Sequence, residues 1–488
     1  MEQLEPLREL RRKTSAEVFL SGGAVRDLAC NRRPKDLDLL VRNISPTEFE
    51  TTMKTMGDVR LVGASFGVYL FRPHGSEQSV EVAFPRVEAS TGTGHKDFAI
   101  RSDPSISLEE DSKRRDFTLN AMYVSIDSVG QEGRFDRKDI IDLHGGLEHI
   151  KRRLIVAVGN PQDRFHEDAL RMLRAAVLIA RTGYRLEGGT FAAIKRNAGL
   201  IQEVSPERIR DELNKILSTD KPSRAFKMLH RTGLLALVFP ELEACVDCGQ
   251  NPKHHSYPVF EHSLYAADAA TQITDSLEIR WSALCHDLGK APTRQVKPGG
   301  DGPNDVSFHS HEIVSTNLTY SLLTRLRFPN EFVRGVVGLV RNHQYKYDRT
   351  WTDKAVRRFI RKCGIVEKDL ENLEQHPQFL LRQADRMGNA LKAHLPVTQK
   401  QRDFQERIVK VFGESSAHSL QDLKISGKDL IDTFDLSPSP LIGKTMKYLF
   451  EWVEEDPKLN TYKGLIRAAE EFIKTQEVEE RGSDQANS

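Results

Sequence analysis

The chain predicts an α+β protein, in which a small mixed sheet with helices occupies the N-terminal part and helices alone follow from about residue 140. Two patterns carry this expectation. Short apolar runs with strand-like alternation and β-branched or aromatic content recur in the first segment, and apolar residues at helical spacing dominate the rest. A chain of 488 residues also exceeds what one core holds, so about three to four domain-sized units are expected.

The first element pair lies in residues 18–41, VFLSGGAVRDLACNRRPKDLDLLV. It reads as a buried strand, a double-glycine turn, a short helix, a basic loop and a second apolar strand. Asp36 and Asp38 stand at the start of that second strand. Alternate side chains of a strand share a face, so the two carboxylates project together and can hold a divalent cation. Gly22 and Gly23 let the backbone approach a ligand, and the helix opening after them aims free N–H groups at an anion. Either half alone fits ordinary turn residues or solvated aspartates; both in one unit point to a phosphate and a metal on one surface.

Residues 61–71 and 79–86 read as further strands, the second carrying Glu81 as a candidate third carboxylate. Residues 87–110 have little periodicity and read as a long loop of the functional or disordered kind. An acidic helix start then leads into Arg114, Arg115 and Asp116 and another apolar strand. Two guanidinium groups suit phosphates, and a carboxylate accepts from a ribose hydroxyl, although a surface charge cluster would look the same.

LSGGAVRD with DLDLLV, then RRDFTLNAM, EDALRMLRA and ERIRDEL follow one another in this order. Together they resemble the successive motifs of the bacterial and eukaryotic class of tRNA nucleotidyltransferases, the CCA-adding enzymes, and their poly(A) polymerase relatives, over residues 18–217. The resemblance implies a polymerase-β-like nucleotidyltransferase head. It implies that Asp36 and Asp38 bind catalytic Mg2+, and that Arg114, Arg115 and Asp116 handle the ribose and triphosphate, with Gly22, Gly23, Arg26 and Asn120 in the same nucleotide-binding motifs.

Residues 161–181, PQDRFHEDALRMLRAAVLIAR, read as one helix with Phe165, Leu170, Leu173, Val177 and Leu178 apolar, and with Asp168, Arg171 and Arg174 along another face. A helix laced by Asp–Arg pairs would show the same pattern. The resemblance implies that Asp168 and Arg171, with Arg174 nearby, form a template of amino acids for the base edge of CTP or ATP. A carboxylate accepts from an exocyclic amine and a guanidinium donates to ring acceptors, so C and A are satisfied where G and U are not. The segment SPERIRDELNKIL, capped by Ser205, reads as a helix that braces the template helix.

A second constellation comprises His262, His286 and Asp287, His309 and His311, His343, and Asp385. Imidazoles with carboxylates are the usual ligands of first-row metals. The order His, His-Asp, Asp resembles the HD superfamily of metal-dependent phosphohydrolases. That resemblance implies His262, His286, Asp287 and Asp385 as ligands, His311 and His343 as second-metal candidates, and either a transition metal or Mg2+ as the ion. Lys290 is a candidate for stabilising developing charge. Cys245 and Cys248 form a lone CxxC followed by His254 and His255; a reduced surface turn and a zinc site both fit it. Lys354, Arg357, Arg358, Arg361 and Lys362 make a basic stripe near Tyr345, Tyr347 and Trp351, a candidate RNA-backbone contact or a solvated helix face.

From residue 420 the chain reads as helices broken at Gly427, the Ser-Pro pairs and a turn at Gly443, resembling the tail domain of the same nucleotidyltransferases, with a polar, disordered end. The expected domains are thus a head (1–140), a helical neck bearing the template and RNA contacts (141–235), an HD domain (236–400) and a tail (401–488). Composition bounds the rest. An apolar share of 39% and a charged share of 29% fit a soluble protein, and the N-terminus lacks an apolar signal core, so no membrane and a cytoplasmic location are expected. Five cysteines at irregular spacing argue against a disulfide framework. A net charge of only +1 requires that any RNA binding come from local basic patches.

The expected activity is template-independent addition of C, C and A to tRNA 3′ ends from CTP and ATP, with tRNA bound through its 3′ end and acceptor arm. A poly(A) polymerase, a partial CC- or A-adding enzyme, and an HD phosphohydrolase with an RNA-binding head are the alternatives. The mixed charge of the tail and the intact HD set lean against the polymerase. The full-length loop after the second motif leans against a CC-only enzyme.

Overall fold

The computed structural model describes residues 2–34, 36–63, 67–90, 98–130, 133–296, 306–391, 399–415 and 417–486. They divide into two compact units, residues 1–246 with 322–328, and residues 247–321 with 329–488.

The first unit holds strands β1 (Glu17–Ser21), β2 (Asp38–Arg42), β3 (Gly57–Gly63), β4 (Val68–Pro73), β5 (Val80–Ala83), β6 (Arg86–Ser90), β7 (Phe98–Ser102), β8 (Met122–Ser125) and β9 (Ile140–Asp142). Seven of them form one sheet in the order β3-β4-β5-β2-β1-β8-β9. Only the central β2–β5 pair is parallel, the others being antiparallel. Both faces of its middle are covered, which is why β1 and β2 read as continuous apolar runs. Val18, Leu20, Leu39 and Val41 enter the main core, while Phe19, Leu40 and Tyr123 pack on the opposite side.

Local chemistry sets several boundaries. Ser45 caps the helix Pro46–Met53 by accepting from Glu48 N, and Pro46 takes the first helical position. That helix is held to the sheet by an aromatic cluster, with Phe49 5.3 Å from Tyr69 and 5.6 Å from Phe84 between ring centres. Ser107 and Glu110 form a capping box ahead of the helix Leu108–Lys113.

Three expectations about this unit change. Residues 61–63 end β3 and residues 68–71 begin β4, two antiparallel strands rather than one, and residues 64–66 lie outside the described residues. Within the span 87–110, residues 87–90 and 98–102 pair as antiparallel strands β6 and β7, residues 108–110 open a helix, and residues 91–97 lie outside the described residues. The helix expected over 161–181 is broken. Pro161–Glu167 ends at Asp168, whose backbone is extended at φ −151° and ψ 105°, and a second helix runs Arg171–Thr182. Asp168 therefore does not share a helical face with Arg171 and Arg174. The helices Gly188–Asn197, Pro206–Leu217 and Ser223–Thr232 complete the neck.

In the second unit, helices Val259–Ile273, Leu277–Cys285, Asn330–Asn342 and Pro377–Met387 pack around small residues such as Ala266, Ala270, Ala283 and Ala384. The helix Gln399–Glu414, assigned by sequence to the tail, buries Phe404, Ile408 and Val411 in a core shared with Val356 and Phe379. The tail's own core begins at Ala417 and runs to Ala469. Gly443 lies inside the helix Pro440–Glu455 rather than in a turn. The backbone stays helical to Ala486 where composition predicted disorder, and residues 487–488 lie outside the described residues. Among the described residues no helix is long and apolar enough to cross a membrane.

Phe49 is fully buried in the aromatic cluster, so Phe49→Ala is expected to cost about 3–5 kcal/mol. A urea titration of the variant measures this as a lowered first midpoint, and a midpoint equal to the parent's would contradict it.

Candidate active site and metal centre

In the head, Asp38 opens β2 and sits in register opposite Glu81 of the parallel strand β5. Glu81 thus occupies the place expected of a third carboxylate. Burial, then the Glu81 charge and to a lesser degree Asp36, hold the Asp38 carboxyl above its usual range, against Arg115 and Arg174. Gly22 has φ +64°, and a side chain there would bring Cβ to 3.2 Å from Asp38 Oδ2 and 3.4 Å from an Arg115 guanidinium nitrogen. Only glycine suits both constraints. The helix Gly22–Ala29 starts at this point, beside the carboxylates.

Arg115 is positioned from three sides. Its Nε and Nη2 donate to Asp111 Oδ2 at 3.2 and 3.1 Å, and its Nη1 donates to the carbonyl of Asn120 at 3.0 Å. Its guanidinium lies 4.7 Å from the Tyr123 ring centre, and the Tyr123 hydroxyl donates to the same Asp111 oxygen at 2.7 Å. Arg114 pairs with the other Asp111 oxygen. Asp111, fully buried, is the partner that reading the motif alone missed. Its signal was its place four residues before Arg115 on a short acidic helix.

Asp116 is engaged on both oxygens. Oδ1 accepts from Phe117 N at 2.8 Å and Asn120 Nδ2 at 3.3 Å, and Oδ2 accepts from Arg174 Nε at 2.6 Å. Burial alone would raise the Asp116 carboxyl, yet Arg174 brings it below its usual range. Asn120 Oδ1 accepts from Arg26 at 2.7 Å, so Arg26, Asn120, Asp116 and Arg174 form one chain of hydrogen bonds. Gly23 lies against the Arg26 guanidinium.

The two expected template residues are not paired with each other. Asp168 Oδ2 accepts from Arg208 at 2.8 Å. Arg171 is buried, bound to Glu167 at 2.5 Å, and donates to the carbonyls of Arg164 and Arg114 at 3.2 and 2.8 Å. Arg208 stands on the bracing helix Pro206–Leu217, where sequence gave it no chemistry.

The second unit brings six ligands together. Among the described residues, ligand atoms of His262, His286 and Asp385 converge within 4.8 Å, as do those of Asp287, His311 and His343. Asp287 spans the two sets: Oδ2 lies 3.1 Å from His286 Nε2, and Oδ1 lies 3.4 and 3.7 Å from His311 and His343 Nε2. Nδ1 of His286, His311 and His343 sits 2.8, 2.9 and 2.7 Å from the carbonyl three residues earlier, of Ala283, Phe308 and Val340. A neutral imidazole donating there presents Nε2 as a lone pair, the orientation a metal requires. The donor set fits divalent first-row ions in two positions bridged by a carboxylate. Burial would raise the Asp287 carboxyl, but His286 when protonated, and Lys290, hold it well below its usual range. Lys290 is itself buried, with Nζ 2.7 Å from both Asp287 Oδ2 and Gln250 Oε1. Gly289 lets this turn seat on the start of helix His311–Arg325, since an added Cβ would lie 2.2 Å from the His311 carbonyl oxygen. His309 is exposed and outside both sets.

The remaining candidates are placed differently. Cys245 and Cys248 are both buried rather than on a surface turn, and neither joins a ligand set among the described residues. Of the basic stripe, Lys354 pairs with Glu455, Arg357 donates to the Glu454 carbonyl at 2.7 Å, and Arg361 pairs with Glu454 at 2.8 Å. Tyr345, Tyr347 and Trp351 pack in the core beneath it. Only Arg358 and Lys362 keep exposed side chains that no such contact occupies.

Asp111 holds two arginines, and its carboxyl lies below the usual range because they outweigh its burial. A depressed carboxyl contributes stability that is present above the unfolded-state value and is lost as pH falls through the folded value. Asp111→Asn is expected to cost about 3–5 kcal/mol at neutral pH and to flatten the acid limb of the stability profile. Urea midpoints from pH 7 down to pH 3 check this, and parallel profiles for the variant and the parent would refute it.

Comparison with known proteins agrees with this geometry. A family model described as the poly A polymerase head domain matches residues 18–156, one described as the probable RNA and SrmB-binding site of polymerase A matches residues 183–246, and the HD domain model matches residues 259–390. The multifunctional CCA protein of Cupriavidus taiwanensis is 33% identical over 359 residues, covering 72% of this chain and 80% of that protein. That of Thioalkalivibrio sulfidiphilus is 30% identical over 424 residues, covering 85% and 93%. The Bacillus stearothermophilus CCA-adding enzyme, solved in complex with CTP, shares the fold with a TM-score of 0.63 at 24% identity, over 98% of each chain. The chain therefore belongs to the family of CCA-adding tRNA nucleotidyltransferases and poly(A) polymerases, in the form that carries an HD domain.

Proposed function

We propose that this protein completes tRNA 3′ ends, adding C, C and A in turn from CTP and ATP without a nucleic-acid template. One observation carries the proposal: the Asp38 carboxylate and the Arg115 guanidinium both lie against Gly22, while Asp116, next in the chain, accepts from Arg174 and the Arg114 carbonyl accepts from Arg171. A site for phosphoryl chemistry and a set of base-reading groups are thereby fixed to each other within one unit.

Asp36 and Asp38, supported by Glu81, hold divalent ions, for which Mg2+ is the natural choice in an all-oxygen site. When bound, such ions stabilise the charge of the attacking hydroxyl and of the leaving group in transfer of a nucleotidyl group. The N–H groups at Gly22 and Gly23 and the Arg115 guanidinium neutralise the triphosphate. Asp116 positions Arg174 and keeps lone pairs available for a ribose hydroxyl, since an ionised carboxylate offers about four acceptor sites. Arg171, immobilised by Glu167, and Asp168, steadied by Arg208, read the base edge. A pyrimidine or purine with the wrong pattern leaves hydrogen-bonding groups of the buried Arg171 and the half-buried Asp168 mismatched.

The six converging ligands favour a separate phosphohydrolase activity of the HD site on a phosphate ester, with Lys290 available to stabilise charge on the phosphoryl group. Asp36→Ala is expected to lower nucleotide addition on the order of 10³-fold or more, and Asp287→Ala to leave it largely intact while removing phosphate release. Addition that survives the first change, or is lost with the second, would sink the assignment.

Selectivity has its own test. Arg171→Ala is expected to erode preference for CTP and ATP over UTP and GTP on the order of 100-fold, and Arg208→Ala to do so more weakly through Asp168. Competition between nucleotides at equal concentration measures it, and unchanged ratios in both variants would speak against a protein template.

A further inference from the structure

A cleft of ≈ 460 Å³ opens in the first unit at the C-terminal end of helix Gly22–Ala29. That helix is eight residues long, so its two ends lie about 12 Å apart. The nucleotide-facing glycines stand at one end and the cleft at the other. Five cationic side chains line the cleft, Arg32, Arg137, Lys151, Arg153 and Arg224, and no carboxylate does. All five are exposed. Arg32 and Arg137 touch only carbonyl oxygens, of Arg181 and Ala29, each at 3.4 Å. Among the described residues none of the five forms an ion pair, in a chain whose acidic and basic residues nearly balance at 70 and 71. Five unpaired cations around one concavity repel one another unless an anion enters. Tyr184 supplies an aromatic wall, its hydroxyl 3.6 Å from Cys30 Sγ.

We infer that this cleft is a phosphodiester-binding site that grips the backbone of the RNA substrate away from the centre of nucleotide addition. The inference rests on the reading that RNA is the substrate. Several guanidinium groups around a space of this size suit consecutive phosphates of a strand better than one small anion. Four of the five cations lie outside residues 183–246, the stretch matched by the RNA-binding family model, so the cleft extends RNA contact into the head. Such contacts act through charge and carry no sequence preference.

The experiment uses the full chain and a tRNA lacking its terminal A. Fluorescence anisotropy across a KCl series gives the slope of log affinity against log salt for the parent and for Arg32→Gln/Arg153→Gln/Arg224→Gln. The triple variant is expected to bind about tenfold more weakly at 0.1 M salt and to lose about two to three from the slope, near 0.9 for each phosphate released. Its rate at saturating tRNA and its KM for CTP stay at the parent values. In the parent, tRNA is expected to slow alkylation of Cys30, followed on its peptide by mass spectrometry, and CTP or pyrophosphate is not. An unchanged salt slope, protection of Cys30 by pyrophosphate alone, or no protection by tRNA would each overturn the inference. Absence of nucleotide addition by the parent would instead count against the proposed function and leave the slope and protection measurements standing.

Discussion

The ion pair between Arg174 and Asp116, at 2.6 Å, is the contact on which the first unit depends. Asp116 lies between the helix Leu108–Lys113 and β8, and Arg174 on the helix Arg171–Thr182, 58 residues later. Through Asn120 and Arg26 the same pair reaches the helix that begins at the glycines. Through the Arg114 carbonyl, Arg171 is tied to the same turn. The glycine turn, the Arg114–Asp116 motif and the helix of Arg171 and Arg174 are thus set by one hydrogen-bonded network. A network anchored on a buried carboxylate, Asp116, that is engaged on both oxygens resists rearrangement.

The second unit solves a different problem with the same economy of spacing. Three imidazoles are each turned by a carbonyl three residues back, His286 and His343 at the ends of their helices and His311 at the start of its own. Asp287 alone faces both ligand sets, and Lys290 balances its charge. Among the described residues, all six members of the two sets come from the second unit.

Much of this was legible in the sequence, where the signal is local. The glycines, Asp36 and Asp38 stand within one short stretch and the two arginines stand side by side further on; Asp38 and Arg115 meet at Gly22, while Asp36 is exposed and precedes β2. The six HD ligands were found from residue type and order, and the structure brings them together. Side chains whose partners lie far away were not legible. Arg357 and Arg361 look like an RNA-binding stripe until Glu454, more than ninety residues on, is seen to take them up. Asp168 seemed to share a helical face with Arg171 because periodicity does not reveal an extended residue between two short helices. Arg208 acquired its role from pairing with Asp168 forty residues away, and the ribbon of β6 and β7 looked like a loop because it lies outside the main sheet.

The most direct measurement offers the purified protein tRNAs ending before the first C, after C and after CC, with CTP alone, ATP alone and both, and reads product lengths at single-nucleotide resolution. Each tRNA is expected to receive only the residues it lacks, C from CTP and then one A from ATP, and to stop at CCA. Runs of A beyond the first, or addition confined to C or to A alone on every tRNA, would contradict a complete CCA-adding site.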